Sequence, residues 1–159
     1  MPLQETLIAG AIATWITQLE RATKLFSTLD AAQLEQRIAP GRNRLIYLWG
    51  HLTAVHDRML PLLDLGERIH PEFDEIFVTS PDGTHTLPAP GVLLDGWNAV
   101  NSRLNTGIHV FAANEWLQKH TAVSDEDFAK EPLRNRFSIL LSRTNHLSYH
   151  IGQAALARK

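Results

Sequence analysis

The sequence predicts an all-α fold, in which residues 1–159 form one four-helix-bundle domain with a long crossover between helices two and three. Apolar residues recur at spacings of three and four over four long segments, which is the period of a helix. No stretch of strand length alternates apolar with polar residues. The chain has the length of one domain, and 44% of its residues are hydrophobic, which is enough for a core.

The composition limits which nucleophiles, metal ligands and partners the protein can have. The sequence contains no cysteine, so disulfides, thiolate nucleophiles and thiolate metal ligands are excluded, and any metal must be bound by His, Asp or Glu. A net charge of −2 is unlike the basic footprint of a nucleic-acid-binding protein. The apolar stretch from Leu7 to Ile16 is too short to cross a bilayer. We therefore expect a cytoplasmic protein with neither nucleic acid nor membrane as partner.

The first helix is predicted from Pro2 to Leu29, because proline suits a helix start and the apolar spacing persists to that point. A short continuation, Ala31 to Arg37, is expected after a cap at Asp30 and before the Pro40-Gly41 pair.

The second helix is predicted from Asn43 to Leu65, with Pro61 bending its end. Residues 66–90, called the crossover below, contain several prolines and no clear period. A connection of this length is often functional, and in a four-helix bundle it lets helices two and three run parallel.

The third helix is expected to begin near Pro90, with an apolar stripe that reaches Phe111. A short extra turn is expected at residues 114–120, and Ser124 with Asp127 resembles a capping box. The fourth helix is predicted from Pro132 to Arg158.

Three histidines stand at the border of the apolar stripes. His146 and His150 are four residues apart, so a helix brings both imidazoles to one face, where a divalent metal such as zinc, nickel, iron or cobalt can bridge them. His51 occupies a matching border position on the second helix, next to Leu52. The three could form one metal site inside the bundle, where such sites are usually built. The alternative is three half-buried histidines that bond to their neighbours.

Four other residues are secondary candidates. Gln153, three residues after His150, could orient a ligand or bind substrate, and ordinary packing or capping explains it equally well. Arg143 shares the flank of His146 and could hold an anionic group, or be simply solvated. Asp57 and Asp95 could accept hydrogen bonds from ligand N–H groups. The remaining histidines lack a partner at helical spacing and are expected at the surface or at caps, with His85 able to approach the site from the crossover: His56, His70, His85, His109 and His120.

Two motifs together carry a family resemblance. Trp49-Gly50-His51-Leu52 in the second helix, and the run from His146 to Gln153, resemble the DinB/YfiT-like family, whose signature is one histidine in helix two plus His-x-x-x-His followed by Gly-Gln. The resemblance covers almost the whole chain. It implies a four-helix bundle with a crossover after helix two, a homodimer, and one divalent transition metal (zinc, nickel or iron) on His51, His146 and His150. The family often has Arg directly after the last histidine, where this chain has Ile151.

The resemblance leaves the activity open. Some relatives are metal-dependent transferases of low-molecular-weight thiols such as bacillithiol or mycothiol, which implies a small-molecule substrate, a thiol co-substrate and transfer to an electrophile. Others are hydrolase-like, which implies a metal-bound hydroxide. A third alternative is a non-catalytic metal-binding stress protein. Three protein ligands would leave an open coordination position, which is typical of a catalytic site.

Overall fold

The computed structural model describes residues 1–157 and confirms the all-α fold. Within these residues there is no strand, and two isolated antiparallel bridges join Arg37 to Arg44 and Lys119 to Asn135. None of the helices in this range combines the length and the hydropathy that a bilayer crossing requires. Arg158, the predicted last residue of the fourth helix, lies outside the described residues.

Four long helices and several short ones make up the described chain. Their bounds are α1 Leu3–Ser27, α2 Ala31–Leu34, α3 Leu45–Asp57, α4 Met59–Leu62, α5 Pro90–Ile108, α6 Ala113–Trp116, α7 Asp125–Lys130 and α8 Arg136–Ala157, with a π-helical segment at Glu75–Thr79.

The core lies between the long helices. Helix α1 packs along α8, and α3 packs along α5, while α3 also contacts α8. Three tryptophans, Trp15, Trp97 and Trp116, are almost fully buried in this core, and Phe26 stacks on Trp49 between α1 and α3. Because α3 is covered from several sides, nearly all of its residues are buried, and whatever polar groups it carries must find partners inside the protein.

The predicted second helix is interrupted at Arg58, which separates α3 from α4. The bend was expected at Pro61 itself. The proline ring collides with the carbonyl of the residue four positions earlier and supplies no N–H to it, so the distortion falls at the end of α3, where residue 57 lies.

The fourth helix begins at Arg136, four residues later than predicted. The amide oxygen of Asn135 accepts a hydrogen bond from the Ser138 backbone N–H at 2.8 Å, which is the geometry of an N-terminal cap. The Asn135 side chain also donates to the Pro132 carbonyl at 2.9 Å, so the preceding residues form a turn. The apolar period alone did not reveal this cap.

Capping residues predicted the positions of the short helices well, but the predicted lengths of these helices were less accurate. Asp30 caps α2, as expected, and does so in a capping box with Gln33, but α2 ends at Leu34 rather than at Arg37. The Ser124 hydroxyl accepts from the Asp127 N–H at 3.1 Å and so caps α7. The extra turn predicted at residues 114–120 is the shorter helix α6.

The crossover connects two helices that run in the same direction. His56 of α3 bonds to Asn101 of α5 at 2.8 Å, and Leu65, which follows the end of α4, lies against Gly107 further along α5. The two helices therefore run parallel, which is the arrangement that a crossover permits. The start of α3 is also tied to this connection, since Asp82 accepts from both the backbone and the guanidinium of Arg44.

Candidate metal centre

His51 is oriented by the crossover. Its Nδ1–H donates to the Phe77 carbonyl at 2.8 Å, and Phe77 belongs to the π-helical segment. That segment can approach α3 closely because Gly50 has no side chain: a Cβ at this position would overlap the Phe77 ring. The glycine before His51 and the irregular backbone of the crossover together fix the direction of the imidazole.

His146 and His150 present their rings from one face of α8. Their Nε2 atoms are 3.1 Å apart, and the Nε2 of His51 lies 3.2 Å from that of His146. One nitrogen from each of the three residues lies within 4.8 Å of the others. The predicted convergence of three imidazoles from two helices is therefore present in the structure, and the group could hold a metal ion.

The hydrogen bonds around the triad decide which nitrogens are free. The Phe77 carbonyl and the Gln153 Oε1 atom only accept, so His51 and His150 carry their protons on Nδ1 and point Nε2 lone pairs inward. His146 could donate one hydrogen bond to one of them, which leaves the inward lone pair of the other without a donor. A cation between the nitrogens would accept these lone pairs, and two nitrogens on a tetrahedral zinc would be about 3.3 Å apart.

Burial keeps the three imidazoles neutral, which is the form that binds metal. It lowers the pKa of His51, His146 and His150 below the usual value. For His146 the pKa falls to about 4, because burial disfavours the charged ring and the neighbouring His150, His51 and Arg143 add to the effect. The site is therefore ready for a divalent ion at neutral pH without releasing a proton from any ligand.

A cavity of about 440 Å³ adjoins the triad. His150 and Gln153 form one wall, and the loop from Ile38 to Asn43 forms another. A cavity of this size accepts a small molecule, and it reaches a ligand of the centre directly. A second cavity, of about 540 Å³, lies between α1 and α5 and includes none of the three histidines in its walls.

Comparison with known proteins settles the family. A family model described as the DinB superfamily matches residues 14–154. The chain belongs to the DinB superfamily. The crystal structure of a conserved protein from Enterococcus faecalis is similar over 99% of this chain and 96% of that one, with a TM-score of 0.65 and 18% sequence identity. This likeness concerns the fold alone. No curated protein matches the chain.

Two secondary candidates of this DinB superfamily protein lie beside the triad. Gln153 contacts His150 directly, with 2.8 Å between Oε1 and Nδ1. Arg143 is half-buried three residues before His146, and its Nε is buried without a hydrogen-bond partner among residues 1–157. Its charge acts on both His51 and His146.

The two aspartates serve other purposes, so the expectation that they support the ligands was wrong. Asp57 is fully buried but accepts from the Arg68 guanidinium and from the backbone N–H groups of Ile69 and His70. It anchors the beginning of the crossover. Asp95 is exposed and makes no hydrogen bond to the triad within the described part of the chain.

His56 was wrongly expected at the surface or at a cap. It is fully buried, its ring lies against Trp15 and Trp97, and its Nδ1 bonds to the Asn101 amide oxygen at 2.8 Å. Burial lowers its pKa to about 3. Five residues after His51, His56 would point away from a single buried face, whereas α3 is buried on nearly all sides. The density of apolar residues in α3 was the available signal.

Three other histidines, which have no second histidine at helical spacing, lie away from the centre. His85 bonds to the Ser80 hydroxyl at 3.0 Å rather than approaching the triad, and exposed His109 bonds to the carbonyl of Asn105. His70 pairs with Glu72 at 2.9 Å. These residues give no further ligand to the site.

Proposed function

We propose that this DinB superfamily protein holds one zinc, nickel or iron ion on His51, His146 and His150, and that it transfers a low-molecular-weight thiol to small electrophiles. The observation that carries the proposal is the set of three Nε2 atoms, separated by 3.1 and 3.2 Å along the group, beside a cavity of small-molecule size. Three histidine ligands without a fourth protein donor are typical of catalytic rather than structural zinc sites.

When bound, such an ion lowers the pKa of a coordinated thiol and so supplies a thiolate nucleophile near neutral pH. The chain's own residues orient the three imidazoles and bury them. Phe77 and Gln153 hold the ligand rings in one tautomer through their oxygens, and burial keeps those rings uncharged. Overall, a sulfur–carbon bond forms, the leaving group departs from the electrophile, and the thiol proton passes to solvent.

Hydrolysis at the same centre is the less supported alternative. A hydrolase of this type uses a carboxylate near the metal as general base. Among residues 1–157, no carboxylate oxygen joins the three-histidine cluster, and the hydrogen bonds of the ligand rings go to a carbonyl and an amide. A thiol needs no such base once its pKa is lowered, so the composition of the site favours thiol transfer. A purely structural ion is disfavoured because the cavity reaches His150.

A homodimer and a cytoplasmic location stay predictions. They extend the proposal, since a small-thiol transferase would act where reduced thiols are abundant. Light scattering of the purified protein measures the first, and a mass near that of one chain would contradict it.

The experiment begins with metal analysis of protein purified without a histidine tag, followed by a panel of thiols and electrophiles. We expect about one ion per chain, and loss of both metal and conjugation in His51→Ala and in His150→Ala. His109→Ala is the matched control, because this exposed histidine lies at the end of α5, where its ring bonds to the Asn105 carbonyl and not to the triad. Normal conjugation by a metal-free triad variant would refute the proposal.

A further inference from the structure

Arg143 is a half-buried cation placed on the stripe of the metal ligands. It stands three residues before His146 and seven before His150, so the helical period brings all three to one side of α8. A rise of 1.5 Å per residue separates Arg143 from His146 by about 4.5 Å along the axis. The charge of Arg143 acts on both His51 and His146, so the guanidinium lies near enough for a ligand bound at the centre to reach it.

The other half-buried arginines among residues 1–157 each form a hydrogen bond or a salt bridge with at least one acceptor, and Arg136, whose Nε is also buried without a partner, donates through Nη1 to the Glu115 carbonyl. Arg44 is held by Asp82 at 2.6 Å, and Arg68 donates to both oxygens of Asp74. Arg143 differs, because within residues 1–157 its guanidinium makes neither a salt bridge nor a hydrogen bond, and its Nε is buried. A buried donor without a partner costs stability, and such a group calls for an explanation.

The surroundings add no negative charge. The titratable groups that act on His51, His146 and His150 are the neighbouring histidines and the arginines Arg58 and Arg143, with no carboxylate among them. Arg58 is itself neutralised by Asp74. Three neutral imidazoles with a divalent ion and one free guanidinium leave an excess of positive charge that an anionic ligand would balance.

We propose that Arg143 binds the carboxylate of the small thiol whose sulfur reaches the triad, so that the protein selects anionic thiols over neutral ones. This inference rests on the proposed function, and it makes Arg143 a specificity-determining residue. The guanidinium matches a carboxylate in shape and offers two parallel N–H groups. The same contact would position the sulfur at the centre by holding the far end of the molecule.

The test uses Co²⁺ bound to the purified protein, because a thiol that reaches cobalt produces a sulfur-to-metal absorption band. Mercaptobutyrate and its neutral amide are titrated in parallel. We expect the wild-type protein to bind the acid about tenfold or more tightly than the amide. In Arg143→Gln this preference should vanish, while cobalt content and affinity for the amide stay unchanged. Any carboxylate bound by cobalt itself would persist in the variant, so the comparison isolates the guanidinium.

Arg21→Gln is the matched control, since it removes an exposed arginine from α1, and it should keep the preference. Arg143→Lys preserves the positive charge but lacks the two parallel N–H groups of the guanidinium, so it should keep part of the preference for the acid. This variant also keeps the inference testable if Arg143→Gln folds poorly. Equal affinity of the wild-type protein for acid and amide, or a preference that survives Arg143→Gln, overturns the inference and leaves thiol binding intact. Failure to bind cobalt, or the absence of any sulfur band, removes the proposed function as well.

Discussion

Gly50→Ala should damage both the fold and the metal centre through a single added methyl group. A Cβ at Gly50 would overlap the ring of Phe77, which is fully buried and packed edge-on against Tyr47 and Phe73. The ring cannot rotate away without displacing these neighbours. Overpacking of this kind costs about 1–3 kcal/mol of stability.

The same movement would reach the metal, because the Phe77 carbonyl fixes His51 through the 2.8 Å hydrogen bond. Loss of such a supporting contact lowers metal affinity by about 10–100-fold. We expect Gly50→Ala to lower the free energy of unfolding of the metal-free protein by about 1–3 kcal/mol in urea titration. Its zinc affinity, measured by competition with a chromogenic chelator, should fall by about 10–100-fold.

Gly10→Ala is the control, because this glycine lies in α1 and a Cβ there would meet nothing within 4 Å. The control should stabilise the protein by about 0.5–1 kcal/mol, the usual gain for alanine over glycine in a helix, and leave zinc affinity unchanged. The double variant Gly50→Ala, Phe77→Leu should recover part of the loss, since the smaller side chain makes room. The reasoning is refuted if Gly50→Ala behaves like Gly10→Ala.

Three further predictions concern polar groups of α3, α8 and the crossover. The pKa of His56 is about 3 in the folded chain against 6.5 for the free group, so as the pH falls from 6.5 towards 3 only the unfolded chain takes up the proton and stability declines, by on the order of 4 kcal/mol at pH 3. His56→Gln should flatten the decline of urea-unfolding free energy between pH 6 and 4, and an unchanged slope would contradict the assignment. Gln153→Leu should weaken zinc binding by about 10–100-fold while metal-free stability stays within about 0.5 kcal/mol, as chelator competition and urea unfolding would show; unchanged affinity would mean that the His150 contact is incidental. Asp82→Asn removes the carboxylate that holds Arg44 and should cost about 1.5–3 kcal/mol in thermal unfolding, and a loss under 0.5 kcal/mol would show that the ion pair adds little.

Periodicity was enough to predict the long helices and the border positions of the histidines. His146 and His150 share a face because they are four residues apart on α8, and that relation depends on nothing but helix geometry. His51 could be matched to them because it flanks the apolar stripe of its own helix. In these respects local physics and global structure agree, as they do in most natural sequences.

The departures from prediction came from tertiary contacts that periodicity does not encode. His56 is buried because Trp15 and Trp97 close over it from two other helices, and Asn101 supplies its hydrogen bond. The π-helical turn at Glu75–Thr79 has no apolar period to announce it, and its position depends on an absent side chain at Gly50. Such features require knowledge of which elements meet.

The contact between Phe77 and His51 links two processes that would otherwise be separate. The crossover supplies none of the three histidines, yet it holds one of them through a main-chain oxygen. Linkage is reciprocal, so whatever free energy an ion gains from a well-aimed His51, the segment Glu75–Thr79 gains in resistance to local opening. Substitutions in the crossover can thus change the affinity for the ion without altering a ligand. Binding of the ion should in turn slow amide exchange in Glu75–Thr79, although this segment supplies no ligand.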